Sequence, residues 1–206
     1  MAFHVVRHPI AESVLTRLRD RDTSVCEYHL LCRQVSFILL AEALRSLELK
    51  TVPINTPLAP CEGNAIADLV TFVAISRAGT AMLGPALELL PEATIGTIGI
   101  ERDPMTTEAH CYYQKLPKIK GRYVVVLDPM LATGHSAALA FSLIAPQQPK
   151  ILSLVSVLAA PEGVEHLMKK FPSAQLYAAA LDQGLNEQNF IVPGLGDFGD
   201  RFYGTL

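Results

Sequence analysis

Short runs of uninterrupted apolar residues alternate with segments of helical spacing over most of the chain. The apolar runs, rich in valine, isoleucine and leucine, occupy residues 69–75, 94–100, 123–127, 151–159 and 175–180. Helical spacing is found between them, in residues 80–90, 136–143 and 162–171. Strands without polar alternation are typical of parallel sheets, because both faces of such a sheet are covered by helices. The alternation therefore predicts an α/β fold, with a doubly wound, mostly parallel sheet and flanking helices.

The beginning of the chain has a different pattern. Residues 13–20 and 26–48 carry apolar side chains at helical spacing, which predicts two helices that flank the sheet. Residues 49–63 contain Pro53, Pro57 and Pro60, and prolines at this density oppose a regular helix. We expect an irregular connection or a short hairpin there.

Composition limits the classes of function. The chain has 206 residues, half of them hydrophobic, which suits one α/β domain over residues 1–206. With a formal net charge of −3, the chain as a whole does not attract nucleic acid or an anionic membrane surface. No charge-free apolar run reaches the roughly 18 residues expected of a membrane span. The cysteines form no CxxC pair and no secretory leader is recognised, so we expect a cytoplasmic protein with reduced thiols.

Residues 124–139 read VVVLDPMLATGHSAAL, which is a buried strand, a turn of small residues and a helical segment. Asp128 should emerge at the carboxyl edge of the sheet, where ligands bind in folds of this class. The backbone N–H groups from Ala132 to Ser136 should converge at the start of the helix, and Thr133 and Ser136 add hydroxyls. This arrangement predicts a site for a phosphate monoester.

Other interpretations of this loop are less well supported. The chain has neither GxGxxG nor GxxxxGK[ST], so a dinucleotide site or a nucleoside triphosphatase loop is disfavoured. Residues 134–138 partly mimic the nucleophile elbow of a hydrolase, but an elbow places its serine directly after the strand and has a second glycine. A plain strand–loop–helix connection without a ligand remains an alternative, because a fold does not imply a function.

The loop resembles the 5-phosphoribosyl-1-diphosphate (PRPP) loop of phosphoribosyltransferases, in the DPMLATG form of the uracil phosphoribosyltransferase family. Residues 182–205, DQGLNEQNFIVPGLGDFGDRFYGT, resemble the uracil-binding tail of that family. Between these blocks, ISRAGTAM, IGIERD, YYQKLP and AAPEG occur in the family's order. The resemblance covers nearly the whole chain and is weakest over residues 49–67.

The resemblance implies a fold and a reaction. The fold is that of type I phosphoribosyltransferases, with a small irregular hood or hairpin region and a base-binding tail over residues 182–205. The reaction is uracil plus PRPP giving UMP and diphosphate, with Mg²⁺ bound through the diphosphate and no direct protein ligand assigned. The resemblance also implies a homodimer or homotetramer, with GTP as an effector in some members.

Site residues are carried over by matching motifs. Those implied for catalysis are Arg77, Arg102, Asp128 and Asp197. Those implied for PRPP binding are Arg77, Arg102, Asp128, Pro129, Met130, Leu131, Ala132, Thr133, Gly134, His135, Ser136 and Asp197. Those implied for uracil binding are Ile191, Gly196, Asp197 and Phe198. Some members have a non-proline cis peptide near the first arginine.

Each matched charge also has an ordinary structural explanation. Arg77 and Arg102 could be surface arginines, the latter paired with Glu101 or Asp103, and Asp197 could simply cap a turn. The chain also departs from the family, since His135 replaces a glycine and Ser76 replaces a leucine. Two alternatives therefore stay open: a catalytically weak or inactive regulator of this fold that binds nucleotide or RNA, and a partner-binding paralogue.

Overall fold

The computed structural model of the chain describes residues 2–102 and 109–205. The strands are β1 (Ala2–Val5), β2 (Leu49–Asn55), β3 (Pro60–Ile66), β4 (Val70–Ser76), β5 (Thr94–Arg102), β6 (Ala109–Lys115), β7 (Tyr123–Leu127), β8 (Met130–Leu131), β9 (Ile151–Ala159), β10 (Gln175–Leu181), β11 (Gly184–Leu185) and β12 (Ile191–Val192). The α-helices are α1 (Pro9–Arg19), α2 (Val25–Ala43), α3 (Leu83–Leu89), α4 (His135–Ile144), α5 (Pro161–Lys170) and α6 (Phe198–Tyr203). Short 3-10 helices cover Ala78–Met82 and Ala145–Gln147.

The main sheet has the strand order β1-β10-β9-β7-β4-β5-β6, with β8 beside β9. Each pairing is parallel except that of β5 with β6, which is antiparallel. Every residue of β7 is buried, as are Val70 to Ile75 of β4. The predicted doubly wound, mostly parallel sheet is therefore confirmed.

Two hydrophobic cores cover the two faces of the sheet. Val125 and Leu127 of β7 pack in one core with apolar side chains of α1, α2 and α3. Val124 and Val126 point the other way and pack with side chains of α4 and α5, because successive strand residues face opposite sides. In the described ranges, we find no helix that combines the length and the apolar character needed to span a membrane.

Several details of the sequence prediction were wrong or incomplete. Helix α2 ends at Ala43, not at residue 48, because Leu44 and Leu47 contact the same core from a turn and so prolong the apolar spacing. Strand β1 was not predicted. Residues 109–115 form strand β6, which was not predicted either. Strands β1 and β6 lie at the two ends of the strand order, where fewer apolar residues are needed, and the two-residue strands β8, β11 and β12 were too short to predict.

Residues 49–66 form an antiparallel hairpin of β2 and β3, the second of the two structures expected for this region. Pro53 pairs with Glu62, and Asn55 pairs with Pro60. Each of these strands has only one neighbour among the described strands. Proline is tolerated in such a strand, because the backbone N–H that it lacks can be one that would point to the unpaired edge, where no hydrogen bond between strands is lost.

Candidate active site

A cleft of about 340 Å³ opens at the carboxyl ends of β4 and β7. Its walls come from distant parts of the chain: residues 75–78, Ile100, Asp128, Met130, Ala132, Ser136, residues 189–191 and residues 196–199. The two blocks that carried the family resemblance thus meet at one cleft. Its position agrees with the general rule that ligands of open α/β sheets bind beyond the carboxyl ends of the strands.

We call the segment from Asp128 to Ser136 the phosphate loop. Gly134 is the residue before α4 and has a φ of 79°, and an added Cβ would lie 2.8 Å from the carbonyl oxygen of Gly163. A residue with a side chain is therefore disfavoured at position 134, because its backbone would be strained and its Cβ would clash with Gly163. No side chain caps α4, so its first backbone N–H groups are open to an anion.

The predicted phosphate-loop residues lie in two environments. Asp128, Met130, Ala132 and Ser136 line the cleft, whereas Leu131 packs into the core on the α4 side. Pro129 is also buried, and its carbonyl oxygen accepts hydrogen bonds from β9.

Thr133 and His135 do not line the cleft in this structure. The Thr133 hydroxyl is buried and has no hydrogen-bond partner in the described part of the chain, which is unusual for a buried polar atom. His135 is exposed, and its ring stands edge-on to that of His166 on α5, with centroids 4.9 Å apart. The side chain that departs from the family pattern thus packs against α5.

Arg77 directly follows β4, and the Ser76–Arg77 peptide is cis, as the resemblance had suggested. Its guanidinium donates from Nη2 to Asp200 Oδ1 at 2.7 Å and from Nη1 to Thr205 Oγ1 at 3.2 Å. It also lies 5.2 Å from the centre of the Tyr203 ring. Hydrogen bonds from Thr205 and Arg77 lower the pKa of Asp200, so its carboxylate is held in the charged form.

The backbone beyond Arg77 passes very close to β7. An added Cβ on Gly79 would lie 2.1 Å from the carbonyl oxygen of Leu127. Glycine at this position lets the turn after β4 approach the end of the adjacent strand. Arg77 and Asp128 consequently line one cleft from neighbouring strands.

Arg102 is the last residue of β5, next to β4 in the sheet, and its side chain lies outside what the structure describes. The segment after it, which holds Asp103, is outside the described residues as well.

The four predicted base-site residues all line the cleft from the tail: Ile191, Gly196, Asp197 and Phe198. Ile191 belongs to β12, which pairs with β11, and the Val192–Pro193 peptide that follows is cis. Phe198 is only 1% exposed and meets the ring of Tyr28 edge-on at 5.4 Å. Asp197 does cap α6, by accepting a hydrogen bond from the Asp200 N–H at 2.8 Å, and it also lines the cleft.

Two arginines that sequence reasoning did not select anchor the tail. Arg19 makes a two-point ion pair with Asp182, at 2.7 and 2.5 Å, and bonds the carbonyl oxygen of Gly194. Arg201 is buried and donates to the carbonyl oxygens of Leu18, Leu195 and Asp20. Most of these partners are far apart in sequence, so no local pattern could have identified them.

The cleft also contains residues that were not singled out, among them Asn189 and Phe190. Phe190 is 46% exposed in the structure, and the signal in the sequence was an aromatic residue directly after the polar run 186–189.

The described residues contain no group of three or more His, Cys, Asp or Glu side chains placed to hold a metal ion. Asp128 and Asp197 nevertheless line the same cleft. Carboxylates of this kind suit a divalent cation that takes its other oxygen ligands from a bound phosphate group. The residues present therefore fit a cation that arrives with its ligand.

Comparison with known sequences adds independent information. The sequence model of the family described as uracil phosphoribosyltransferase matches residues 5–205. The uracil phosphoribosyltransferase of Campylobacter fetus subsp. fetus is 39% identical over 203 residues, which are 98% of this chain and 97% of the relative. That of Legionella pneumophila (strain Lens) is 43% identical over 203 residues, with 98% and 95% coverage.

Solved structures agree with the sequence relatives. A protein from Aquifex aeolicus matches with a TM-score of 0.94 at 36% identity, covering 98% of this chain and 97% of that one. A hypoxanthine-guanine phosphoribosyltransferase from Bacillus anthracis matches with a TM-score of 0.52 at 12% identity, covering 77% and 80% of the two chains, and so shares the fold alone. The fold is that of type I phosphoribosyltransferases, and the chain belongs to the uracil phosphoribosyltransferase family.

Proposed function

We propose that this protein transfers the 5-phosphoribosyl group of PRPP to uracil, giving UMP and diphosphate. The bond from the anomeric carbon to diphosphate breaks, a bond to N1 of uracil forms, and N1 loses its proton. The observation that carries the proposal is the shared cleft, which is lined both by the phosphate loop and by the base-site residues of the tail. A transferase that joins a base to a sugar phosphate needs such a common volume.

The phosphate loop is proposed to bind the ribose 5-phosphate. Its N–H groups from Ala132 to Ser136 would hold the 5′-phosphate at the uncapped start of α4, with help from the Ser136 hydroxyl. Asp128 would bind the ribose hydroxyls, since it continues β7 at the edge of the cleft. Together these contacts would fix the sugar while its anomeric carbon reacts.

Arg77 is proposed to bind the diphosphate, whose negative charge grows as the glycosidic bond breaks. Its side chain is 52% exposed at the cleft, so its remaining N–H groups are accessible to an anion. Arg102, at the end of the neighbouring strand, is assigned to the same group on the family resemblance. Bound Mg²⁺ would supply positive charge to the diphosphate, with Asp128 and Asp197 as the nearby carboxylates.

The base site is proposed to identify uracil through its edge, which has two carbonyl acceptors on either side of one N–H donor. Backbone groups of the extended segment around Gly196 can match that pattern, while Ile191 and Phe198 provide apolar surface. Cytosine has an amino donor where uracil has O4. A backbone N–H at that point would then face another donor, so cytosine should be rejected.

The test is incubation of the purified chain with labelled uracil, PRPP and Mg²⁺, followed by measurement of UMP. Cytosine in place of uracil is the matched control, and no nucleotide should form from it. Absence of UMP over a broad range of pH and metal ions would contradict the proposal. Binding of PRPP without turnover would instead support a regulator of this fold.

We also propose that the chain forms a homodimer or homotetramer and that GTP favours the larger assembly. Besides the family resemblance, support comes from exposed apolar side chains on the hairpin: Leu49 is 62% exposed, Leu58 96% and Ile66 40%. Sedimentation velocity with and without GTP tests both points. A monomer under both conditions would contradict the assembly, and an unchanged sedimentation coefficient would contradict the GTP effect.

A further inference from the structure

The end of the chain is bonded to the backbone and side chain of Arg77. Asp200 Oδ1 accepts from Arg77 Nη2 at 2.7 Å and from Thr205 Oγ1 at 2.7 Å. The Tyr203 hydroxyl donates to the carbonyl oxygen of Arg77 at 3.2 Å. These contacts fix the guanidinium from one side and leave part of it exposed.

The same short helix connects these contacts to the base site. Helix α6 begins after Asp197, whose Oδ1 accepts from the Asp200 N–H at 2.8 Å. An added Cβ on Gly199, between these two residues, would lie 3.2 Å from Arg77 Nη2 and 3.3 Å from Asp197 Oδ1. There is therefore little space at position 199 for a side chain between the backbone of α6 and the guanidinium.

From this geometry we propose that Asp200 is a positioning residue for the transfer reaction, an inference that rests on the proposed function. Asp200 uses one oxygen to orient Arg77, so that the free N–H groups of the guanidinium point to the departing diphosphate. Because Asp197 holds the N–H of Asp200, the orientation of Arg77 is tied to the part of the tail that binds the base. Asp200 itself makes no contact with substrate in this scheme and acts only through Arg77.

The decisive experiment is a double-mutant cycle on the full chain with uracil, PRPP and Mg²⁺. Asp200→Ala removes the acceptor, and we expect kcat at saturating substrates to fall by about tenfold, because misorientation of a charge-stabilising group weakens its effect in the transition state. Asp200→Asn keeps an oxygen that can accept from Nη2, so it should restore kcat to within about threefold of wild type. In an Arg77→Ala background, Asp200→Ala should cause no further loss, since residues that act as a unit are not additive.

Several outcomes would overturn the proposal. An additive loss in the double variant would mean that Asp200 acts independently of Arg77, and an unchanged kcat in Asp200→Ala would mean that it does not act at all. If Asp200→Ala does not fold, Thr205→Val removes, from an exposed position near the chain end, the hydroxyl that donates to Asp200 and accepts from Arg77, and so tests the same group of contacts around the guanidinium. Its smaller loss of kcat should also disappear in the Arg77→Ala background, and an additive loss there contradicts the proposal equally.

Two controls separate this inference from the proposed function. Glu42→Gln removes another carboxylate that binds an arginine, Arg45, on an exposed part of α2 outside the cleft, and it should leave kcat unchanged. If the wild-type chain makes no UMP, the proposed function fails. If the wild-type chain makes UMP but the Asp200 and Thr205 variants show no coupling to Arg77, only the positioning role fails.

Discussion

The phosphate loop and the tail line the same cleft but are held in place by different means. The phosphate loop is one continuous segment between a fully buried strand and a helix, and Gly134 fixes its turn. The tail has little regular structure, with two strands of two residues each and a helix of six. Arg19 and Arg201 bind it to distant backbone and side-chain groups.

This difference has a functional consequence. A phosphate group can be held by backbone N–H groups at a helix start, which local sequence is sufficient to form. The position of the base-binding segment depends on side chains outside it, so changes far from the cleft should affect the base more than PRPP. Arg77 belongs to neither region but contacts the tail and borders the phosphate loop, so its replacement should disturb the reaction as a whole.

Arg77→Ala should have the largest effect. The contacts of Arg77 with diphosphate should strengthen as charge develops on the leaving group, so their loss should lower kcat at saturating PRPP by about a hundredfold or more. Arg77→Lys should recover only part of the activity, because an ammonium group cannot reproduce the planar fork. A higher PRPP KM with an unchanged kcat would show that Arg77 contributes uniform binding only.

Arg19→Ala should damage the base site selectively. It leaves Asp182, whose side chain is 5% exposed, without its ion-pair partner, and it frees the carbonyl oxygen of Gly194. Hydrogen bonds to a charged group contribute about 1.5–3 kcal/mol to holding the base-binding segment in place. If that free energy is lost from uracil binding, the uracil KM should rise by roughly 10- to 100-fold.

The PRPP dissociation constant of Arg19→Ala should change by less than about threefold, because Arg19 bonds neither the phosphate loop nor the Asp200 and Thr205 groups that hold Arg77. The matched control is Arg21→Ala, since Arg21 is 91% exposed and pairs only weakly with its neighbour Asp22. Equal losses of uracil and PRPP binding would show that the two regions are not independent.

The same contrast explains how much the sequence could predict. Strands β4, β7, β9 and β10 were predicted because central strands of a parallel sheet are apolar throughout, and the phosphate loop was predicted because its chemistry is contiguous. Strands β1 and β6 were missed because edge strands lack that signal.

The tail was identified by resemblance, but its anchors could not be predicted from the sequence. Arg201 lies in the quoted DFGDRFYGT block, yet nothing local indicates that it is buried and bonded to Leu18 and Asp20. Nor could the sequence show that Asp200 and Thr205 bind Arg77, because those contacts join residues far apart in the chain.

Thr133→Val tests the phosphate loop at a single atom. The Thr133 hydroxyl is buried and has no partner among the described residues, so its removal should leave the thermal midpoint unchanged or slightly higher. If the loop turns this hydroxyl to the 5′-phosphate on binding, the PRPP KM should rise by about tenfold while the uracil KM stays the same. An unchanged PRPP KM would remove Thr133 from the site.

The smallest effect is expected at the pair formed by His135 of the phosphate loop and His166 of α5. Desolvation lowers the pKa of His166, with further lowering by the nearby charges of His135, Lys170 and Lys169. The unfolded chain therefore takes up this proton near pH 6.5 and the folded chain only at lower pH, so stability is complete above pH 6.5 and declines as the pH falls below it. His135→Gly removes one source of the shift, and the difference in thermal midpoint between pH 7.5 and pH 5.5 should become smaller than in wild type. His166→Gln removes the titrating group and should reduce that difference further, whereas a wild-type pH dependence in both variants would show that the pair does not contribute.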